Sequence, residues 1–219
     1  SANFVYLKGK DAANLPLNWM SESFSTTGWL SGKMPFRYGD GTGGTLLSDM
    51  QNNYSTVYMR STFTASEIDK LDEIHFSVNY DDGFIIWING EEVFEVNAPD
   101  SATYNGFSSD QHEFGNFVTY QLPARDLELK EGVNVIAIQG FNTSLESSDF
   151  YFDLKISGEV KQPQTSDSLK VVFSHPDGFY EQPFDLTLSV PDESYDLIYT
   201  IDGSNPQTSA NAIDGGKSV

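Results

Sequence analysis

The chain of 219 residues contains no cysteine. That excludes disulfides, thiolate zinc sites and a cysteine nucleophile. It also lacks an apolar run of about 18 residues, the length that reads as a membrane-spanning helix. Basic residues are scarce, 12 against 32 acidic ones, for a formal charge of −20. A nucleic-acid binder needs a basic footprint, which is missing, and anionic membrane surfaces repel such a chain. The histidines, His75, His112 and His175, stand far apart. No Gly-x-Ser-x-Gly, His-Glu-x-x-His or phosphate-cradling glycine loop occurs. With so many acids, some pair falls at glycosidase spacing by chance, so carboxylate pairs do not by themselves indicate catalysis.

Aromatic residues, by contrast, make up 14% of the chain, with 16 Phe and 11 Tyr. They supply a core, so the acidity does not mean disorder. The segments 57–63, 74–80, 84–88, 92–96, 117–122, 133–138 and 150–156 read as strands from period two or short apolar runs. Ile74, Phe76, Val78 and Tyr80 alternate with His75, Ser77 and Asn79. Residues 133–138 are apolar on both faces, which places that strand centrally. Helical turns are expected only at 66–71 and 124–127. Asp81-Asp82-Gly83 reads as an acidic turn between two strands, and Asn89-Gly90 as a hairpin turn, because glycine accepts positive φ. Many short strands separated by Gly, Asn and Asp predict an all-β, antiparallel jelly-roll β-sandwich over residues 1–158. A polar stretch containing Pro163 reads as a linker over 159–168. Strands resume at 169–173, 184–190 and 197–201 in a smaller β module over 169–219. No signal peptide is visible before the strand-like Phe4-Val5-Tyr6-Leu7. The sequence leads us to expect a mature or excised piece of a longer chain.

Calcium takes hard oxygen ligands, and carboxylates at a strand end can converge on it with free carbonyls. Asp81 and Asp82 are candidates, as is Asp40 in Tyr38-Gly39-Asp40-Gly41. The competing account of each is turn chemistry, in which Asp accepts from nearby backbone N–H groups. Sugar binding uses aromatic faces against a pyranose, with polar side chains for its hydroxyls. Trp19, Trp29, Tyr38 and Tyr104 are the candidate faces, with Arg37 and Asn105 as polar groups. Trp19 follows Leu15-Pro16-Leu17-Asn18 and is expected on an exposed loop, whereas Trp87 is expected in the core. The irregular loop 97–115 holds Tyr104, Asn105, Phe107, Asp110, His112 and Phe114, and is either functional or a covering flap. Arg37 and Arg60 are expected to pair with carboxylates, or else to present a fork to a ligand.

Several of these strings carry a resemblance. Trp29 with Met34-Pro35-Phe36-Arg37-Tyr38-Gly39-Asp40-Gly41, Val57-Tyr58-Met59-Arg60-Ser61-Thr62-Phe63 and Tyr80-Asp81-Asp82-Gly83 with Trp87-Ile88-Asn89-Gly90 recur in order. Leu129-Lys130-Glu131-Gly132-Val133-Asn134-Val135-Ile136-Ala137-Ile138 and Ser147-Ser148-Asp149-Phe150-Tyr151-Phe152-Asp153 follow. Together they resemble the galactose-binding-like jelly-roll modules, similar to carbohydrate-binding modules, of secreted bacterial proteins. The resemblance implies calcium held between an early segment and the final strand, which adds Asp149 and Asp153 to the candidates. The Asp-Asp-Gly turn is locally similar to that of calcium-dependent PA14 lectin domains. Phe173-Ser174-His175-Pro176-Asp177-Gly178-Phe179-Tyr180 and Ile198-Tyr199-Thr200-Ile201-Asp202-Gly203-Ser204-Asn205-Pro206 resemble the immunoglobulin-like C-terminal module of chitobiase, here truncated. Both resemblances imply accessory modules of a secreted or cell-surface bacterial multidomain protein. The expected function is non-catalytic carbohydrate binding with a structural calcium. Its partners would be a polysaccharide or glycan and neighbouring domains of the parent chain, with no nucleic acid and no membrane insertion. The alternatives are an architectural or adhesive spacer that contacts protein partners, or an accessory part of a polysaccharide-degrading enzyme whose active site lies elsewhere.

Overall fold

Period-two alternation builds the first of two units into which the chain divides, residues 1–161 and 162–219. The computed structural model describes residues 3–161, 171–190 and 194–216. The segment 162–168 of the expected linker lies outside the described residues, as do 169 and 170 of the strand expected at 169–173.

The first unit is a sandwich of two sheets. Sheet A is formed by β1 (Asn3–Lys8), β2 (Leu30–Lys33), β5 (Thr56–Ala65), β7 (Gly83–Ile88), β8 (Glu91–Val96) and β10 (Gly132–Phe141). Sheet B is formed by β3 (Phe36–Tyr38), β4 (Thr45–Leu46), β6 (Leu71–Asp81), β9 (Val118–Pro123) and β11 (Phe150–Val160). The spatial orders are β2-β1-β5-β10-β7-β8 and β4-β3-β11-β6-β9, and every pairing is antiparallel except β3 with β4. Counting β3 as first and β11 as eighth, without β4, gives orders 2-7-4-5 and 1-8-3-6, the jelly-roll connection. β1 and β2 extend one edge. Single 3-10 turns at Ile68–Lys70 and Ala124–Asp126 occupy the two places where the sequence expects helical turns, and a third lies at Gly9–Asp11.

The main core lies between the sheets. Phe76, Val78 and Tyr80 of β6 and Phe150 and Phe152 of β11 meet Phe84, Ile86 and Ile88 of β7, Val57 and Met59 of β5, and Ile136 and Ile138 of β10. Sheet A also buries its outer face, and for that reason β7 and β10 are apolar on both sides. There Trp19 packs with Tyr58, Ile85, Trp87, Ala137 and Phe141 in a second, smaller cluster.

The two turn dipeptides act differently. Asn89 (φ 53°) and Gly90 (φ 102°) close a hairpin between β7 and β8, as expected. Asp81-Asp82-Gly83 instead carries the chain from sheet B to sheet A, and β6 and β7 are not paired. Gly83 is not needed there for a positive φ. A Cβ at Gly83 would lie 2.6 Å from the Asn97 carbonyl oxygen, so close backbone approach requires it.

In the second unit β12 (Val172–Phe173) pairs with β13 (Leu188–Ser189), and β14 (Leu197–Tyr199) with β15 (Ile213–Gly216), both antiparallel. Among its described residues Leu197 alone is a buried hydrophobic. The strand expected at 184–190 is reduced to β13, since exposed residues have little packing to hold them extended.

Candidate functional site: an acidic corner and an aromatic cleft joined by one loop

Asp81, the last residue of β6, is 3% exposed. Strand register sets Tyr151 of β11 opposite it, which brings up Asp149 from just before β11. The long β8–β9 loop supplies Glu113. Carboxylate oxygens of Asp81, Glu113 and Asp149 all lie within 4.8 Å of one another. Burial, reinforced by the charges of Asp82, Asp149 and Glu113, pushes the Asp81 carboxyl up to about 8, against the pull of the Phe114 amide. A cation among the three carboxylates would remove that repulsion. Next to them, Asn142 is 1% exposed, and its Nδ2 donates to the Asp149 carbonyl (2.9 Å) and to the Tyr38 hydroxyl (2.9 Å). Its Oδ1 is a buried acceptor with no hydrogen-bond partner. An all-oxygen donor set with an orphaned amide oxygen beside it fits a hard divalent cation.

Asp82 does not join this group. Its Oδ1 accepts from the His112 amide (3.0 Å) and its Oδ2 from the Thr143 amide (2.7 Å). That is the turn chemistry the sequence leaves open for it, tying two loops together. Asp40 is exposed and Asp153 is half-buried with Oδ1 accepting from its neighbour Leu154 (3.0 Å); neither belongs to the trio. Glu113 and Asn142 are the residues that sequence reasoning missed. Glu113 lies in the loop 97–115, for which the sequence leaves a functional role and a covering flap both open, and a carboxylate there was the available signal.

The same loop runs on to the outer face of sheet A. It is pinned beside the acidic corner by His112 stacked on Tyr80 (4.0 Å), Phe114 stacked on Tyr151 (4.8 Å) and two hydrogen bonds between Gly115 and the Asn79 side chain. On the outer face, Thr56 Oγ1 donates to the Tyr104 carbonyl and Gln139 Nε2 donates to the Thr103 carbonyl (3.1 Å). Between residues 100–104 and residues 12–20 lies a cleft of about 520 Å³. Trp19, Trp87, Tyr58 and Tyr104 give it ring surface, and Asp100 and Gln139 give it polar groups. Tyr104 is 38% exposed. Asn105 lies on the other side of Tyr104, in a hollow of about 200 Å³ with Lys10 and Asn53.

The remaining expected site residues are distributed otherwise. Trp19 is not a free platform: it is 5% exposed, edge-on to Trp87 (5.3 Å) and Tyr58 (4.9 Å), because the apolar outer face of sheet A draws it in. Trp29 is half-buried and stacks behind Trp19. Tyr38 is buried on β3, its hydroxyl donating to the Ser147 carbonyl (2.8 Å), so it braces the acidic corner and offers no face to a sugar. Among the described residues neither Arg37 nor Arg60 takes the carboxylate partner expected of it. Arg37 Nε donates to the Gly43 carbonyl (2.8 Å), and buried Arg60 donates to the carbonyls of Trp19 and Ser21. Arg60 thus fastens the segment that covers sheet A.

No protein-family model matches the chain. No curated protein matches it either. Among solved structures it is similar to the β-glucuronidase of Ruminococcus gnavus in complex with D-glucaro 1,5-lactone, at a TM-score of 0.41 and 10% identity over 64% of this chain and 20% of that one. It is likewise similar to the Bifidobacterium dentium β-glucuronidase complexed with coumarin-3-O-glucuronide, at a TM-score of 0.41 and 13% identity over 64% of this chain and 19% of that one. The chain therefore spans about a fifth of the length of these enzymes. At this degree of likeness neither their substrates nor their chemistry transfers to it.

Proposed function

We propose that the chain is a non-catalytic carbohydrate-binding accessory module of a secreted or cell-surface bacterial multidomain protein. Its first unit would be a galactose-binding-like jelly roll with a structural calcium ion, and its second a chitobiase C-terminal-like, immunoglobulin-like module. The observation that carries this reading is the cleft of about 520 Å³ on sheet A, which joins the rings of Trp19, Trp87 and Tyr104 to Asp100 and Gln139. Trp19, Trp87 and Gln139 are buried and form its floor, while the exposed ring of Tyr104 gives a pyranose a face to stack on and exposed Asp100 a polar group at the mouth. The acidic corner supports the calcium. Asp81, Glu113 and Asp149 would hold the ion, with the Asn142 amide oxygen beside them. Since Glu113 and Tyr104 belong to one loop, an ion at the corner would also steady the ring at the cleft.

The test is a polysaccharide pull-down and glycan-array screen of the full chain, with calcium and with chelator. Saturable retention on at least one glycan, weakened by chelator, is expected. Uniform silence would favour the architectural reading. That second reading draws on one observation: Phe173, Phe179, Ile198 and Ile201 of the second unit are 56%, 109%, 54% and 86% exposed, an apolar surface suited to a protein partner.

A further inference from the structure

On the outward face of sheet B, away from the acidic corner, His75 is the centre of a second cluster. Glu73 and His75 are two residues apart on β6 and share a face. On one side β11 sets Glu159 opposite Glu73, and on the other side β9 sets Gln121 opposite His75. His75 Nε2 is 3.2 Å from Glu73 Oε2, 3.3 Å from Glu159 Oε2 and 3.4 Å from Gln121 Nε2. One imidazole nitrogen thus faces two carboxylates and an amide, more partners than its single N–H or lone pair can serve. Among the described residues neither glutamate has a lysine or arginine partner. Lys155, also on β11, is turned onto the Phe117 ring instead, at 3.9 Å.

We propose that these four side chains form a binding site for a divalent first-row transition ion, zinc being the reference case. With zinc–nitrogen and zinc–oxygen bonds of about 2.0–2.2 Å, two ligands of a tetrahedral centre lie about 3.3–3.6 Å apart. The three distances from His75 Nε2 fall at or just below that edge length. A ring nitrogen of His75 and one oxygen each of Glu73 and Glu159 all lie within 4.8 Å of one another, and these would supply three vertices of such a centre. The fourth is the Gln121 amide turned over so that its oxygen points inward, or a water in its place; amide nitrogen and oxygen are interchangeable by a half-turn. Imidazole with carboxylates is a donor set that suits zinc, copper and nickel better than calcium, which sets this site apart from the all-oxygen corner at Asp81. Because its ligands stand on paired strands, the ion would bridge β6 and β11 beside the irregularity between Glu159 and Val160.

Zinc titration of the metal-stripped full chain by calorimetry at neutral pH tests this, with His75→Gln, Glu159→Gln and Asp81→Asn alongside. The wild type and Asp81→Asn are expected to share one stoichiometric zinc event that calcium does not compete away. His75→Gln and Glu159→Gln are expected to weaken it by more than about tenfold, the least that even loss of an outer partner costs a metal site. Zinc should also raise the melting temperature of the wild type and leave that of His75→Gln unchanged. Should His75→Gln bind zinc as the wild type does, the ion is held elsewhere by the acidic surface and the proposal fails. It fails equally should the wild type show no stoichiometric event, in which case the glutamates serve only as hydrogen-bond partners of the imidazole.

Discussion

At the scale of single residues, Asp81 carries an electrostatic burden that can be read out by pH. Its carboxyl titrates at about 8 in the fold without a cation, against about 3.9 in an unfolded chain. The native state then holds a proton that the unfolded state has lost, so stability falls as pH rises from about 4 to 8. Calcium would replace that proton. The metal-stripped wild type is therefore expected to lose melting temperature over this range, and Asp81→Asn to lose less. Calcium at a hundredfold excess over its Kd should restore about 2.7 kcal/mol, or about 5–10 °C at 2–4 °C per kcal/mol, to the wild type and little to Asp81→Asn. Equal calcium shifts in both proteins, by scanning calorimetry, would place the ion elsewhere. Acids at turns are legible in a sequence, and Asp81 was found that way; Asp149 came from the family resemblance. Glu113 and Asn142 were not, because a long loop and the end of β10 bring them up from far along the chain. Trp19 misled for a related reason. Its local string reads as a loop, and only the apolar outer face of β7 and β10 turns the ring inward.

At the scale of elements, the Asn89-Gly90 hairpin is held by more than its turn geometry. Asn89 Nδ2 donates to the Glu128 carbonyl (2.7 Å) and to Asn134 Oδ1 (2.8 Å), and its Oδ1 accepts from the Val135 amide (2.9 Å). The Asn134 side chain in turn closes the turn into β10 through Lys130 and Gly132. Asn89→Ala should cost about 3 kcal/mol, from three hydrogen bonds and a left-handed backbone that alanine resists. Asn89→Gly should recover about 1 kcal/mol of this by relieving the backbone alone. Urea denaturation measures both, and alanine and glycine variants of equal stability would contradict the backbone share. The long strands of the first unit were legible because one or both faces are buried, which imposes the period that a reader detects. β2, β3 and β4 were not, being short and close to the sheet edges, with glycines around them and few buried residues to set a rhythm. The acidic turn was legible as a turn but not as a crossing between sheets, since pairing depends on strands distant in sequence.

At the scale of the whole molecule, the charge of −20 and the jelly roll leave a surface suited to neutral, hydroxyl-rich ligands better than to polyanions. The first unit has a built cleft, while the second offers apolar hollows in which most residues are exposed. A hollow of about 590 Å³ there is lined by Phe173, His175, Tyr180, Phe184 and Leu186. With Leu197 as the one buried hydrophobic among the described residues of that unit, this is surface left by thin packing. The cleft at Tyr104 is thus where carbohydrate binding stands or falls. Its most direct test is native affinity electrophoresis of the full chain in gels containing soluble polysaccharides, comparing the wild type with Tyr104→Ala. Tyr104 is exposed and its hydrogen bond is through the backbone, so the variant should keep the wild-type melting temperature. Retardation of the wild type by at least one polysaccharide, with loss of about 1–2 kcal/mol of binding in Tyr104→Ala, roughly tenfold in Kd, is the expected result. Migration unchanged by every polysaccharide, or equal retardation of both proteins, would contradict binding at this cleft.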